Sequence, residues 1–234
     1  MLRLITDFDG PIMDVSQRYY RVYQFCLQKI RYPQQSVQEL SRAEFWQLKR
    51  SRVSERQIAL KSGLDTIQAQ EFAQLRRQTV HTEGYFEYDN LIPGAVDTLL
   101  KVQQAGIDLA VMTMRRVREL DYALQKYNLG NFFPENRRYC LSNDYIKTTD
   151  IEDKPLLMER ALRELPTVCD TWMVGDTEAD ITAAKKFGIK VIAVESGIRD
   201  RTQLEMYQPD LIVEDLRTAV KIILESGLAE MRSS

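Results

Sequence analysis

With one histidine in 234 residues, the chain has almost none of the side chain most used for borderline metals and proton relay. A His-rich metal site is excluded, and a Ser-His-Asp triad would have to rest wholly on His81. That residue lies among Thr79, Thr82 and Glu83 and reads as a solvated side chain. Cysteine is scarce too. Cys26, Cys140 and Cys169 are scattered, odd in number and without CxxC spacing, which argues against a zinc site or a disulfide framework and for thiols in a reducing compartment. No apolar run approaches the length of a membrane span. Met1-Leu2-Arg3 leads straight into a strand-like run, so neither a membrane segment nor a signal peptide is expected, and the chain is expected in the cytoplasm. Charge of one sign is missing as well: 32 basic against 34 acidic residues give −2, no global field for nucleic acid. Chemistry here has to rest on carboxylates, hydroxyls and lysine.

What is present is a strand-helix alternation. Leu2–Thr6, Leu109–Thr113, Thr171–Val174, Lys190–Val194 and Asp210–Val213 are short, mostly apolar and bounded by Gly, Asp or Pro. That is the pattern of parallel strands covered on both faces. Amphipathic stretches of helical length lie between the later ones: Gly94–Gln104, Arg116–Tyr127, Pro155–Leu165 and Glu178–Phe187. Gly106, Gly130 and Gly188 follow as expected C-cap glycines. The pattern predicts an α/β fold with a doubly wound, Rossmann-like parallel sheet.

One interval breaks the alternation. From about Ser16 to Tyr88 there is no convincing strand, and Tyr19, Val22, Tyr23, Cys26, Leu27 and Ile30 recur at helical spacing. The reading is a core of residues 1–15 and 89–234 with an α-helical insertion at 16–88. Positions 15–90 carry 12 basic against 8 acidic residues, so the insertion is basic and the remainder acidic. Lys49, Arg50, Arg52 and Arg56 are its densest positive cluster. Charge runs are usually solvated helix faces, yet a basic insertion over an acidic core also suits an anionic substrate.

The first strand ends in Asp7-Phe8-Asp9-Gly10-Pro11. Two carboxylates at the carboxyl end of an apolar strand stand where open α/β sheets bind ligands, and their repulsion calls for a metal or a shared proton. A calcium loop is excluded, because its required glycine falls at Ile12 and a ligand position at Pro11. A second acidic pair follows another strand, in Gly175-Asp176-Thr177-Glu178-Ala179-Asp180. Four acids at one sheet edge call for a cation, and hard oxygen donors select Mg²⁺. Helix capping by Thr177 or Asp176 is compatible with that role. Thr113 closes the second core strand, and Lys154 stands before Pro155 at an expected helix start.

The order Asp-x-Asp, strand-end Thr, Lys before a helix, then Gly-Asp-x-x-x-Asp resembles the haloacid dehalogenase superfamily of phosphohydrolases. Leu91-Ile92-Pro93-Gly94 is similar to the family's re-entry into the core after a helical cap. The resemblance implies Asp7 as nucleophile and Asp9 as general acid and base. It implies Mg²⁺ on the carboxylates of Asp7 and Asp176 and the carbonyl of Asp9, with Asp180 in support. Thr113 and Lys154 would bind the phosphoryl group, with Met114 beside them. The implied activity is hydrolysis of a small phosphate monoester through an aspartyl-phosphate, phosphoglycolate-like, by a monomer or homodimer. The alternative is a β-phosphoglucomutase-like sugar phosphomutase. A receiver-type phosphoryl switch is disfavoured by the insertion and the late acidic pair.

Pro11 stands where the family commonly has Thr, and Met114-Arg115 replaces an Asn-Lys-like tail. Neither removes a catalytic group. Substrate discrimination is expected from the insertion, with Arg52 and Arg56 foremost, since helical spacing would let those two share a face.

Overall fold

The computed structural model describes residues 1–233, with side chains through Ser226. The chain opens with β1 (Leu2–Thr6) and a short β2 (Met13–Asp14), then enters α1 (Ser16–Ile30), α2 (Arg42–Arg50), α3 (Glu55–Lys61) and α4 (Thr66–Thr79). A 3-10 segment at Glu83–Tyr88 leads back through β3 (Asn90–Leu91). There follow α5 (Ala95–Gln104), β4 (Asp108–Arg116), α6 (Val117–Lys126), β5 (Arg138–Leu141), α7 (Asp150–Glu164), β6 (Asp170–Gly175) and α8 (Glu178–Lys186). The chain closes with β7 (Lys190–Val194), α9 (Arg201–Glu205), β8 (Leu211–Val213) and α10 (Leu216–Ser233).

Six strands form one parallel sheet in the order β5-β4-β1-β6-β7-β8. Because successive side chains point to opposite faces, Leu4 and Ile5 sit in different cores. Leu4, Val111, Val174 and Ile192 pack with Leu99, Leu120 and Val220 from α5, α6 and α10. Ile5, Met112, Met173 and Val191 pack with Met158, Ile181 and Leu204 from α7, α8 and α9. Covered on both faces, the sheet is the doubly wound arrangement expected from the apolar runs.

The sequence reading missed β5. Arg138-Tyr139-Cys140-Leu141 carries a charged residue that is held in place, its Nε donating to the Phe133 carbonyl and its Nη1 pairing with Asp121. An edge strand satisfied by such side-chain bonds needs no long apolar run. Gly130 is not a C-cap either. After α6 the left-handed residue is Asn128 at φ 54°, whereas Gly106 and Gly188 do adopt φ 66° behind α5 and α8.

Between β2 and β3 the four helices build a cluster of their own. Val22, Tyr23, Cys26 and Leu27 of α1 meet Phe45, Ile58 and Phe72. Met13–Asp14 pairs antiparallel with Asn90–Leu91, so the chain leaves and re-enters the sheet domain through one two-stranded ribbon. Three of these helices begin with a reciprocal capping box, at Ser41/Glu44, Ser54/Gln57 and Asp65/Gln68, which explains their sharp starts. Among the described residues, no helix is long and apolar enough to cross a membrane.

Candidate active site

The site lies at the carboxyl ends of β1, β4 and β6, where the parallel strands leave a crevice. Asp7 follows β1 directly, its amide bonded to the Val174 carbonyl at 2.8 Å. Its Oδ1 accepts from the Phe8 amide at 2.6 Å and its Oδ2 lies 2.5 Å from Lys154 Nζ. The fully buried Phe8 anchors the turn, with the Ile12 and Met13 amides both returning to its carbonyl.

Lys154 is not at a helix start. The helix α7 begins at Asp150, behind the cap Thr149, and runs through Pro155. The Pro punctuates nothing here, and Lys154 instead projects from the second turn into the acid cluster. Its Nζ also lies 2.5 Å from Asp180 Oδ1. Asp180, in the first turn of α8, turns its Oδ2 back to the Thr177 amide and hydroxyl at 3.0 and 2.6 Å. Capping and site duty are thus divided between the two oxygens of one carboxylate.

Asp176 is cradled by glycine backbone. A Cβ at Gly10 would stand 2.3 Å from its Cγ, and one at Gly197 only 1.8 Å from its Oδ2. Gly10 is also at φ +89°, a conformation that strains other residues. The Ile198 amide donates to Asp176 Oδ2 at 2.6 Å, while Ser196 Oγ donates to the Gly10 carbonyl at 2.7 Å.

Asp7, Asp176 and Asp180 each offer an oxygen, all within 4.8 Å of one another. All three are buried, and Lys154 is the cation between them. Burial, then Asp180 and Asp176, push the Asp7 carboxyl well above its usual range, although Lys154 pulls the other way. Burial and Asp180 raise Asp176 to about 7. Three buried acids against one ammonium leave excess negative charge, and a set of hard oxygen donors with that excess fits a divalent cation.

Asp9 has a different environment. Burial works to raise it, but Arg115 and Arg18 overcome that and lower it. Arg115 Nε is 2.9 Å from its Oδ1, and Arg18 Nη2 is 3.4 Å from its Oδ2. Thr113 is buried on β4 at the same edge, its Oγ1 accepting from the Arg115 amide at 3.2 Å. Met114, on the opposite side of that strand, is half-buried against the α7–α9 core.

The basic cluster is largely spent on protein contacts. Arg52 does not share a helix with Arg56: it stands between α2 and α3 at φ 57°. Its guanidinium lies 3.3 Å from Glu178 and donates to Tyr207 Oη at 2.9 Å. Arg56 is exposed on α3. Arg50 donates to the Glu195 carbonyl at 2.8 Å, and Lys49 pairs with Glu55. Glu178 also receives a two-pronged bond from Arg199, at 2.7 and 2.9 Å.

Sequence reasoning missed Arg18 and Asp89 as site residues and gave Arg115 no role. Two of the three left a signal: Arg18 interrupts the stripe of Val15 and Val22, and Arg115 shares a strand face with Thr113. His81 pairs with Glu119 at 3.5 Å rather than standing alone.

A HAD-hydrolase-like family model matches residues 153–219, which include Lys154 and the Asp176–Asp180 segment. A phosphoglycolate phosphatase from Pseudomonas putida is 25% identical over 162 residues, covering 68% of this chain and 58% of the relative. Pyrophosphatase PpaX from Oceanobacillus iheyensis is 25% identical over 144 residues, covering 60% and 64%. The chain therefore aligns with less than two thirds of the length of these relatives. Among solved structures, a haloacid dehalogenase-like family hydrolase from Streptococcus pneumoniae matches with a TM-score of 0.67 at 18% identity, covering 94% of this chain and 97% of that one. Sheet order, the four acids at its edge and these likenesses agree: the chain resembles the haloacid dehalogenase-like hydrolases in fold and in the arrangement of its acidic motifs.

Proposed function

We propose that the protein is a Mg²⁺-dependent phosphatase of small phosphate monoesters, working through an aspartyl-phosphate on Asp7. The observation that carries this reading is the Asp7 carboxylate held 2.5 Å from Lys154 inside the Asp176–Asp180 acid cluster. Asp9 has to be protonated for the first step, against the pull of Arg115 and Arg18, and gives its proton to the leaving ester oxygen as Asp7 attacks phosphorus. Asp9, now ionised, takes a proton from water, which attacks phosphorus, frees inorganic phosphate and restores Asp7. Lys154 and Thr113 hold the phosphoryl oxygens at the edge between β1 and β4. The Asp7 and Asp176 carboxylates, the Asp9 carbonyl and Asp180 in support fit Mg²⁺, which supplies the positive charge that lets an anionic nucleophile meet an anionic ester.

The helices of residues 16–88 act as a cap over this edge. Arg52–Glu178, Arg50 on the Glu195 carbonyl and Ser51 on Asp200 at 2.7 Å hold its α2–α3 turn against the loops beyond β6 and β7. On the inner side, Lys49 and Arg76 share one carboxylate, Glu55, and Arg76 Nε and Nη2 are buried without a hydrogen-bonding partner. That surplus of positive charge favours a substrate with a second anionic group, as phosphoglycolate has.

A panel of phosphorylated metabolites incubated with Mg²⁺ and scored for phosphate release tests the reading. Release from a carboxylated monoester is expected, and no release from any member would refute it. A requirement for a bisphosphate activator, with phosphate transferred rather than released, would assign the phosphomutase alternative.

A further inference from the structure

Four charges meet beside the site without belonging to the acid cluster. Arg115, on β4, is 2% exposed and Arg18, on α1, is fully buried. Both pair with Asp89, just ahead of β3: Arg18 Nε at 2.9 Å from Oδ1, Arg115 Nη2 at 2.5 Å from Oδ2. Both also reach Asp9, which is the most exposed of the four, with 27% of its side chain accessible. Two guanidinium groups and two carboxylates balance, so the cluster has no spare charge with which to bind an anion. That separates it from the Lys49–Arg76 pair.

The arrangement is rigid. Both guanidinium groups lie over the Phe86 ring, at 5.1 and 5.7 Å from its centre, and Arg115 also lies over Phe8 at 5.2 Å. Asp9, on the turn after β1, would otherwise be free to rotate about its side-chain bonds. Arg115 fixes one oxygen through Nε and Nη2, and Arg18 approaches the other from the insertion.

We propose that Arg115 and Arg18, joined through Asp89, are positioning residues that aim the Asp9 carboxyl at the phosphoryl site. The inference rests on the phosphatase reading, in which Asp9 handles the proton. It also ties proton transfer to the ribbon: Arg18 follows β2 and Asp89 precedes β3, so the insertion's attachment points and the Asp9 carboxyl share one charge network.

A purely structural cluster would look the same in a static view, so the test is a mutant cycle. Arg115→Lys keeps the buried charge but cannot reproduce the planar fork that spans Asp9 and Asp89. With p-nitrophenyl phosphate, Arg115→Lys is expected to lower kcat by about tenfold or more while KM moves less than about threefold. In an Asp9→Ala background, followed by single-turnover kinetics, the same change is expected to cost less than about twofold, because there is no carboxyl left to aim. Equal losses in both backgrounds, or no loss in the wild-type background, would overturn the proposal. Thermal melts identify a variant that does not fold; in that event Arg18→Gln, run through the same cycle with the same two outcomes, decides. Failure of the phosphatase reading shows earlier, as absence of phosphate release by the unmutated chain, and removes the positioning role with it.

Discussion

Lys154 Nζ stands 2.5 Å from Asp7 Oδ2 although 147 residues separate them along the chain. The contact is buried and shared with Asp180, so one ammonium answers several carboxylates.

Replacing Asp7 by Asn removes the nucleophile and one negative charge from that cluster. Phosphate release is expected to fall by about a thousandfold or more. Without added metal the melting temperature should hold or rise, since repulsion with Asp176 and Asp180 is relieved. Parallel activity assays and thermal melts check both halves, and near-normal turnover would show the nucleophile to be elsewhere.

The metal-free protein should lose stability as pH rises through neutrality. Asp176 is raised from 3.8 to about 7 by burial and by Asp180. Between those values the folded protein holds a proton that the unfolded chain has released, so the slope of stability with pH is negative there. Mg²⁺ should therefore raise the melting temperature more at pH 7.5 than at pH 5.5, as melts with EDTA and with Mg²⁺ would record. Equal shifts at the two pH values would contradict the assignment of Asp176 to the cation site.

Gly10→Ala meets two obstacles. The residue sits at φ +89°, and the added methyl would lie 2.3 Å from Asp176 Cγ. The backbone strain alone costs about 1–2 kcal/mol, and the carboxylate must also move. We expect a lower melting temperature together with a weaker Mg²⁺ dependence of activity. Gly84→Ala, with nothing within 4 Å of the new methyl, serves as the control.

Discrimination by the insertion should depend on Lys49 rather than on Arg56. Lys49 is half-buried and lowered to about 8, chiefly by desolvation and then by Arg76, and lies within electrostatic reach of Arg199. Lys49→Met leaves Glu55 paired with Arg76 at 3.0 Å, so the fold should survive. The expected result is a loss of about tenfold or more in kcat/KM for a carboxylated monoester, with p-nitrophenyl phosphate little affected. Arg56→Ala should change neither ratio. Unchanged discrimination in Lys49→Met would leave the cap charges without a role in substrate choice.

Local sequence was enough wherever one segment carried both the signal and its consequence. The apolar run Leu2–Thr6 ends in Asp7-Phe8-Asp9 because a strand covered on both faces must be apolar and its end opens into the crevice. Gly175 and Asp176 follow the same rule on β6, and the helical period of Val22, Cys26 and Leu27 announced the helix α1. Such signals are local because hydrogen bonding and burial in a strand or helix repeat every two to four residues. Only the tertiary structure decided which charges face one another. It joined Arg18, Asp89 and Arg115 around Asp9, and it turned Arg52 onto Glu178 and away from any shared face with Arg56. It also set Lys154 inside α7 rather than ahead of it, because Thr149 caps the helix five residues before Lys154 and Pro155 continues it. Pairings of this kind depend on distances across the chain, and coulombic attraction leaves no periodicity in the sequence from which to read them.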